Sequence, residues 1–519
     1  MPILGSIIKK AFELRNLPVE KQRKNHNPAK SQQQELVKLL RKAKFTAIGE
    51  HYKFSDILES NNIQKTFKEK VPVHDYQSMY KRWWYRSLNG ESYVAWPGKV
   101  KYFALSSGTS DASSKYIPIT GDMLTSIKQV SLRQLLSSTK IDFTSDFYET
   151  GILMIGGSTH LQYNGTYYEG DLSGITAASI PFWFQHFYRP GRRISRTSDW
   201  ATKLDELVKK APSWDIGIIV GVPAWVQILL ERIIAEYKLD TIHDIWPNLA
   251  VYVHSGVSFK PYLKSFEKLI SKPLIYNESY LASEGYIAFQ NGVKTSGMEL
   301  VVDNGIYYEF IPFNGDNFDD EGNIIGNPPI LNIGEIKEGV DYALLMTTNA
   351  GAWRYLLGDT IRFVDKSKSE IIVTGRTGQF ISICGEHLSQ ENMNRAIELL
   401  QEELDIEIKE FTVMAVRHDN LFAHKWFIGT DDELDSKHAA EIIDNHLKNL
   451  NDDYRVERME AIKDVCVTVL PSHVFYDVMK LTGKEGSANK FPRVLKNSRI
   501  KEWEDYLLKN NFSIKNMEY

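Results

Sequence analysis

The segment IGIIVGVPAWVQILLERIIAEY, residues 216–237, carries the pattern that most strongly indicates the fold. Ile216–Val220 is a short apolar run that suits a buried strand. Ala224–Tyr237 is a helical stretch just after Pro223, and proline is favoured in the first turn of a helix. Two further apolar runs of the same kind follow: Ala250–Val253 and Pro273–Tyr276. Strands that alternate with helices predict a protein built of α/β layers.

The regions on either side of this alternation differ from it. Residues 1–90 are predicted to be helical, with Gln32–Lys44 as an example, whereas residues 295–375 are predicted to be rich in strands. The strand candidates are Met298–Val302, Ile306–Phe310, Tyr342–Met346, Thr360–Val364 and Ile371–Thr374. Asp303-Asn-Gly305 is typical of a tight hairpin, and the Gly-, Asn- and Asp-rich segment 314–329 predicts a loop.

The last block of the chain, residues 379–519, is predicted to form a small α+β domain. Its helices and strands alternate: Ser389–Leu404, Glu410–Arg417, Asp435–Leu450 and Val465–Leu470. We therefore predict an N-terminal domain over residues 1–378 and a C-terminal domain over residues 379–519.

Composition and charge exclude several classes of protein. The 519 residues carry a formal net charge of −4, so no overall basic field attracts nucleic acid. The 2 cysteines exclude a secreted disulfide framework and favour a cytoplasmic protein. The N-terminal apolar residues fall on one helical face, which favours a docked amphipathic helix over attachment to a membrane surface. No run of about 18 apolar residues occurs, so we expect no membrane insertion.

A hydroxyl-rich segment, LSSGTSDASSKYIP at residues 105–118, is the first candidate for chemistry. Six hydroxyl residues and Gly108 lie within nine positions, and Lys115 follows them. Backbone N–H groups, hydroxyl donors and a cation can together hold a polyphosphate, although an ordinary polar loop has the same composition. The Walker A pattern is absent, so this is not a P-loop.

Four further segments are ambiguous when each is taken alone. Glu284, in Tyr280-Leu-Ala-Ser-Glu284, could hold Mg²⁺, or it could be a capping or surface acid. Asp359, after Gly358, could accept hydrogen bonds from the two hydroxyls of a ribose, or it could belong to a simple turn. Arg376 precedes a Gly-containing hinge candidate. Lys490, in a Gly/Ser loop, could reach a reacting carboxylate or could be a solvated surface lysine.

Taken in order, these segments resemble the motifs of the adenylate-forming enzymes, and among them those of the Gretchen Hagen family of auxin-responsive acyl acid amido synthetases. The resemblance covers about residues 35 to 500. The segments that carry it are Ser106–Ser110 with Lys115–Pro118, Gly221–Trp225, His254–Gly256, Tyr280–Glu284, Trp353–Tyr355 with Gly358-Asp359, Ser382–His387 and Asn489–Arg493.

The resemblance implies a role for each matching residue. The residues implied to cradle the phosphates of ATP are Ser106, Ser107, Gly108, Thr109 and Ser110, with Ser283 beside them. Glu284 would bind Mg²⁺, Asp359 would hold the ribose with help from Arg376, and Tyr280 lies where relatives place an aromatic ring near adenine. Lys490 would steady the carboxylate and the α-phosphate during adenylation.

The resemblance also implies an activity. An acid would be adenylated with ATP and Mg²⁺, and an amino acid would then take the acyl group. An acid–thiol ligase that forms a CoA thioester, and a non-catalytic relative that binds nucleotide or acid, both remain open. The fold it implies is a large layered α/β domain with a small β-barrel, followed by a mobile α+β domain. We place the acyl pocket near Phe182, Val222 and Trp225, although such aromatic clusters are often plain core. His254 and His387 are candidate bases for the amine, or buried structural histidines.

Overall fold

The chain divides into two compact units in the computed structural model. The first consists of residues 1–256, 270–313 and 327–373, and the second of residues 257–269, 314–326 and 374–519. The residues that the structure describes are 3–24, 27–106, 115–137, 140–180, 182–256, 259–292, 295–319, 322–378, 381, 386, 388–418, 421–460, 462–483, 491–496, 498–510 and 512.

Helices and strands alternate along much of the described chain. The helices are α1 Ile3–Lys24, α2 Pro28–Ala43, α3 Ala47–His51, α4 Phe54–Glu59, α5 Ile63–Lys70, α6 Tyr76–Met79, α7 Tyr85–Leu88, α8 Gly121–Ser137, α9 Leu172–Ala178, α10 Arg192–Ser195, α11 Trp200–Lys210, α12 Pro223–Tyr237, α13 Leu263–Lys268, α14 Gln390–Leu404, α15 Ser436–Leu450, α16 Asp452–Glu460, α17 His473–Leu481 and α18 Ser498–Lys509. The strands are β1 Tyr102–Ser106, β2 Lys115–Ile119, β3 Gly151–Met154, β4 Gln162–Tyr163, β5 Tyr168–Gly170, β6 Tyr188–Arg189, β7 Ile216–Gly221, β8 Val251–Ser255, β9 Ile275–Ala282, β10 Gly285–Phe289, β11 Met298–Leu300, β12 Ile306–Pro312, β13 Asp341–Thr348, β14 Tyr355–Asp365, β15 Glu370–Arg376, β16 Glu410–His418, β17 Leu421–Gly429 and β18 Ile462–Leu470.

The main sheet has the strand order β12-β13-β14-β15-β11-β10-β9-β8-β7-β3-β6. The strands β6, β3, β7, β8 and β9 pair in parallel, and α12 forms the crossover between β7 and β8. The α/β alternation predicted from residues 216–276 is therefore confirmed. The predicted strands between residues 295 and 375 are confirmed as β11 to β15.

The antiparallel half of this sheet is rolled rather than flat. Strands β10 and β12 are five positions apart in the strand order, which would separate them by about 24 Å in a flat sheet. The Tyr308 hydroxyl of β12 nevertheless donates to the carbonyl of Ile287 in β10 at 3.4 Å. A side chain can make this contact only if the sheet curls, as the predicted small barrel requires.

The predicted hairpin at Asp303-Asn-Gly305 is wrong. Gly305 has the left-handed conformation of a turn, with φ +83°, but β11 pairs with β10 and β15, while β12 pairs with β13. Distant helices take up the polar groups of the turn: Arg133 donates to the Asp303 carboxylate at 2.6 Å, and the N–H of Gly305 donates to Glu35 at 3.0 Å. These tertiary hydrogen bonds satisfy the polar groups of the turn although β11 and β12 do not pair. Strand β12 lies instead at the far edge of the sheet.

A second sheet of the first unit has the strand order β2-β1-β5-β4. Strands β1 and β2 form an antiparallel hairpin whose paired residues run from Tyr102 and Ile119 to Ser106 and Lys115. The hairpin places Ser106 and Lys115 of the hydroxyl-rich segment side by side.

The second unit contains a sheet of order β16-β17-β18. Strands β16 and β17 are antiparallel, β17 and β18 are parallel, and α14 and α15 pack together beside them. The helices and strands predicted for residues 389–470 are confirmed, and β17 was not predicted. Buried side chains such as Trp426 and Ile443 form a core of their own in this unit.

Helix α1 lies against residues 142–149 through one face. The Lys9 ammonium donates to the Asp142 carboxylate at 2.7 Å, and the Phe12 and Tyr148 ring centroids are 6.1 Å apart. The helix is therefore docked, as predicted, but Leu4 and Ile7 of its apolar face are exposed. None of the helices within the described residues combines the length and the apolar character needed to cross a membrane.

Candidate active site

A hydrogen bond joins two of the predicted site residues. The Tyr280 hydroxyl, from β9, donates to Oδ2 of Asp359, from β14, at 2.6 Å. These strands are four positions apart in the sheet, or about 19 Å if it were flat. The rolled sheet therefore brings the two side chains together, and the bond orients a carboxylate that can accept from further hydroxyl donors.

Glu284 lies on the tight turn between β9 and β10. Ala282 pairs with Gly285, so Ser283 and Glu284 form the two-residue loop of a hairpin. Glu284 is only 7% exposed, although it lies on a turn. The turn follows Tyr280 by a few residues, so the chain itself holds Glu284 within about 13 Å of the Tyr280 backbone.

The chemistry of this acid fits Mg²⁺. Across the described residues, no three or more His, Cys, Asp or Glu side chains converge as a complete metal site. Mg²⁺ is usually held by one or two carboxylates, and phosphate oxygens and waters complete its shell. A single buried carboxylate such as that of Glu284 therefore suits a cation that arrives with a polyphosphate.

The hydroxyl-rich segment begins and ends at the β1–β2 hairpin. Ser106 ends β1 opposite Lys115, the first residue of β2. The remaining predicted phosphate-binding residues lie outside the described residues: Ser107, Gly108, Thr109 and Ser110. The described residues on either side of this segment, Ser106 and Lys115, therefore lie side by side.

Tyr76 links this hairpin to the strand that carries Asp359. The Tyr76 hydroxyl accepts from the N–H of Tyr116 at 2.9 Å, and the Lys115 ammonium lies 5.3 Å from the centre of the Tyr76 ring. Two residues earlier, the carbonyl of His74 accepts from the N–H of Leu356 in β14 at 2.8 Å. The base of the hydroxyl segment is therefore tied to the start of β14 by a short chain of contacts.

Arg354, in the Trp353-Arg-Tyr355 motif, has a role that the sequence did not reveal. Its side chain is 3% exposed, and its Nε donates to Glu309 at 2.8 Å. One of its terminal nitrogens also donates to the carbonyl of Val71 at 2.6 Å. Arg354 thus anchors the residue before β14. Its partners are far away in the chain, so no local pattern could have identified them.

Arg376 and Lys490 belong to the second unit. Arg376 is the last residue of β15 and is half-buried, and Gly378 two residues later is exposed. Lys490 lies outside the described residues. The structure brings together Tyr280 and Asp359, and it places Glu284 on the hairpin that follows Tyr280.

The predicted acyl-pocket residues lie in different settings. Val222 is half-buried at the carboxyl end of β7, before α12, where open α/β sheets bind ligands. Trp225 is 3% exposed, and its ring centroid is 5.0 Å from that of Trp200. Phe182 begins a short 3-10 turn, and its side chain lies outside the described part of the chain. Val222 therefore has the setting most suited to ligand contact.

His254 is a buried neutral histidine in β8. Burial lowers the pKa of its imidazole to about 4, so the ring is uncharged at neutral pH. A group with so low a pKa is a weak base for an amine. These properties favour the structural interpretation of His254, whereas His387 lies outside the described residues.

The stability of the protein is expected to depend on His254 between pH 6.5 and pH 5. The unfolded chain takes up a proton below pH 6.5, but the folded imidazole resists protonation down to a pKa of about 4. The contribution of the neutral imidazole to the free energy of unfolding is therefore fully present above pH 6.5. It decreases as the pH falls, by about 2 kcal/mol at pH 5. Urea unfolding at the two pH values measures this loss.

The control for this measurement is His254→Gln. Burial also lowers the pKa of His74 and of His243, and both residues are present in the variant and in the parent protein. Their contribution cancels in the difference between the two proteins. An equal loss of stability in variant and parent would contradict the assignment.

Three family domains match most of the chain. The GH3 family N-terminal domain matches residues 20–155 and 134–275, the GH3 family central domain matches residues 299–370, and the GH3 family C-terminal domain matches residues 391–499. The predicted phosphate-binding residues 106–110 fall in the first match and Asp359 falls in the second, whereas Tyr280, Ser283 and Glu284 lie between the two matches.

Curated proteins are similar to part of the chain. Jasmonoyl–L-amino acid synthetase JAR6 of Nicotiana attenuata is 28% identical over 181 residues, which are 33% of this chain and 30% of that protein. Indole-3-acetic acid-amido synthetase GH3.10 of Arabidopsis thaliana is 25% identical over 279 residues, which are 50% of this chain and 46% of that protein. The chain spans about a third to a half of the length of these relatives.

Solved structures resemble nearly the whole chain. The GH3.15 acyl acid amido synthetase superposes with a TM-score of 0.73 at 17% identity, over 92% of this chain and 94% of that one. A 2-hydroxyisobutyryl-CoA ligase superposes with a TM-score of 0.60 at 11% identity, over 93% and 92%. At these identities, the similarity establishes the layered α/β fold and confirms the predicted fold class.

Proposed function

This chain belongs to the GH3 family, and we propose on that premise that it is an ATP-dependent acyl acid amido synthetase. It would convert a carboxylic acid to its acyl-adenylate and then transfer the acyl group to the amine of an amino acid. Among the similar proteins, JAR6 and GH3.10 are named as synthetases of this kind. The enzyme class proposed is therefore a ligase that forms carbon–nitrogen bonds.

The observation that carries this proposal is the bond between Tyr280 and Asp359. A carboxylate held by a tyrosine at 2.6 Å is orientated before any ligand arrives. An orientated carboxylate can accept both hydroxyls of a ribose, and charge-assisted bonds of this kind are about twice as strong as neutral ones. Asp359 is therefore proposed as the ribose acceptor, with Tyr280 as its orienting partner and Arg376 assisting.

In the first half-reaction, an oxygen of the substrate carboxylate attacks the α-phosphorus of ATP. An oxygen–phosphorus bond forms, the bond between the α- and β-phosphates breaks, and pyrophosphate leaves with its electron pair. Two anions approach each other in this step, so groups that offset negative charge lower the barrier. The proposed groups are the N–H and hydroxyl donors of residues 106–110 with Ser283 beside them, and Lys490, while Glu284 would hold the Mg²⁺ that supplies further positive charge.

Glu284 is the residue proposed to hold Mg²⁺. When bound, this ion supplies positive charge to the phosphate oxygens. Glu284 is suited to holding it because the β9–β10 turn fixes its backbone and its side chain is buried. A carboxylate that is already withdrawn from water loses little freedom when the cation binds.

In the second half-reaction, the amino acid nitrogen attacks the acyl carbon. A carbon–nitrogen bond forms, AMP leaves, and the nitrogen loses a proton. We propose that residues 1–378 bind ATP and the acid, and that residues 379–519 move about residues near 377–380 between the half-reactions. The movement would withdraw Lys490 after adenylation. Val222, Trp225 and Phe182 are the proposed acyl-pocket residues.

An acid–thiol ligase is the second candidate, because a 2-hydroxyisobutyryl-CoA ligase shares the fold. Its first half-reaction would be the same, and its acceptor would be the thiol of CoA. One acid that supports adenylation, offered with an amino acid mixture and separately with CoA, distinguishes the two. Amide as the product supports the synthetase, whereas thioester as the product supports the ligase.

The proposed function is tested by acid-dependent exchange of labelled pyrophosphate into ATP, across a library of carboxylic acids. Exchange with at least one acid is expected, since labelled pyrophosphate can bind and attack the α-phosphorus of the enzyme-held acyl-adenylate, which regenerates ATP and releases the acid. No exchange with any member of a broad library would overturn the enzyme proposal and favour a non-catalytic protein that binds nucleotide or acid. The proposed partners are a small carboxylic acid and an amino acid, not nucleic acid, and the cytoplasm is the proposed location.

Lys490→Ala is expected to separate the two half-reactions. Loss of a cation that acts only during adenylation should lower exchange about 100-fold or more. Amide formation from supplied acyl-adenylate should stay within about twofold of the parent protein. Equal losses in both assays would reject this division of labour.

A further inference from the structure

The segment Phe491–Leu495, which follows the proposed catalytic lysine, is held along the edge of β16. The N–H of Val413 donates to the carbonyl of Arg493 at 2.9 Å, and the N–H of Leu495 donates to the carbonyl of Val413 at 2.8 Å. The Thr412 hydroxyl also donates to the carbonyl of Pro492 at 2.8 Å. The backbone after Lys490 is therefore fixed to the edge of a sheet.

The side chain of Arg493 is buried and forms part of a closed network. One of its terminal nitrogens donates to Glu410 at 2.6 Å and to the carbonyl of Phe411 at 3.0 Å. The other carboxylate oxygen of Glu410 accepts from the Tyr262 hydroxyl at 3.2 Å. The guanidinium carbon lies 4.4 Å from the centre of the Phe411 ring. Both carboxylate oxygens of the buried Glu410 therefore accept a hydrogen bond.

A second anchor lies next to Lys490. The Phe491 ring centroid is 4.9 Å from that of Phe475 and 5.1 Å from that of Trp503. Phe491 is itself buried. Lys490 is the residue directly before Phe491 in the sequence. Anchors at residues 491 and 493 therefore fix the backbone that directly follows Lys490.

A buried ion pair is weak evidence of a purely stabilising role, because apolar residues of the same size often stabilise a core equally well. An arginine, in contrast, presents a rigid planar group that fixes directions. We propose that Arg493, through Glu410 and Tyr262, is a positioning residue that sets the point from which Lys490 reaches the reacting carboxylate. The inference rests on the proposed function, since Lys490 acts in adenylation.

The same unit contains a matched control network. The Tyr454 hydroxyl donates to Asp444 at 2.8 Å, and Arg458 donates to the same oxygen at 3.0 Å. Tyrosine, carboxylate and arginine again form the network, but its members come from α15 and α16 and from no part of the Phe491–Leu495 segment. A change there tests the stability of the unit without touching the anchor of Lys490.

The experiment compares Arg493→Lys with Arg458→Lys in the full chain. Exchange of labelled pyrophosphate measures adenylation, amide formation from supplied acyl-adenylate measures the second half-reaction, and thermal unfolding measures stability. Arg493→Lys is expected to lower exchange about 10- to 100-fold, because a displacement of about 1 Å can cost this much. Its amide formation should stay within about twofold. Arg458→Lys should leave both rates within about twofold.

Two results would overturn the inference: equal losses in both half-reactions of Arg493→Lys, or exchange at the parent level in a folded Arg493→Lys protein. If Arg493→Lys does not fold, the double variant Glu410→Gln with Arg493→Met is used in its place, because it removes both buried charges. Parent-level exchange in a folded double variant would likewise overturn the inference. Failure of the proposed function is distinguishable, because the parent protein would then show no exchange with any acid.

Discussion

Asp359→Ala is expected to lower acid-dependent pyrophosphate exchange by about 10²- to 10⁴-fold. Two hydrogen bonds from ribose hydroxyls to a charged acceptor contribute about 1.5–3 kcal/mol each, and about 1.4 kcal/mol corresponds to a factor of ten. The measurement is the exchange rate at saturating acid over a series of ATP concentrations. The loss should be present with every acid that supports exchange, because the ribose is common to all the reactions.

The matched control is Tyr280→Phe, which keeps the aromatic ring and removes the hydroxyl that donates to Asp359 at 2.6 Å. Loss of this single bond should lower exchange about tenfold, since the carboxylate remains but is less well orientated. Exchange at the parent level in folded Asp359→Ala would refute the ribose role. An unchanged rate in Tyr280→Phe, together with a large loss in Asp359→Ala, would show that Asp359 acts without its orienting partner.

Glu284→Ala is expected to reduce the same exchange to background, a loss of at least about 100-fold. The reason is electrostatic: without this acid the chain no longer fixes the cation that offsets phosphate charge as the acid attacks. Glu284→Gln keeps the shape of the side chain but weakens metal binding. In that variant, half-maximal exchange should require a higher Mg²⁺ concentration, which a magnesium titration measures.

Glu299→Gln is the control for that titration. Glu299 is a half-buried acid on β11 of the same sheet, and its oxygen accepts from Asn291 at 2.8 Å. Its magnesium dependence should match that of the parent protein. If Glu284→Gln and Glu299→Gln required the same Mg²⁺ concentration as the parent, Glu284 would not be the metal ligand.

Local patterns in the sequence were sufficient to predict the layered α/β architecture. The apolar run Ile216–Val220 and the helix after Pro223 both depend on the preferences of neighbouring residues, and both occur as β7 and α12. The order of the motifs was also sufficient to predict the family, which the three matching family domains confirm. Both predictions could be made without knowledge of which distant segments are in contact.

Other features depended on contacts between distant residues. Asp303-Asn-Gly305 has the local signature of a hairpin, but Arg133 and Glu35 satisfy its polar groups, so the turn leads elsewhere. Tyr280 is bonded to Asp359 only because the sheet rolls. The sequence by itself determined the identities of these donors and acceptors and the elements that bear them. Only the tertiary structure decided their partners, because hydrogen bonds join groups that are close in space, and the separation of residues along a chain does not specify that distance.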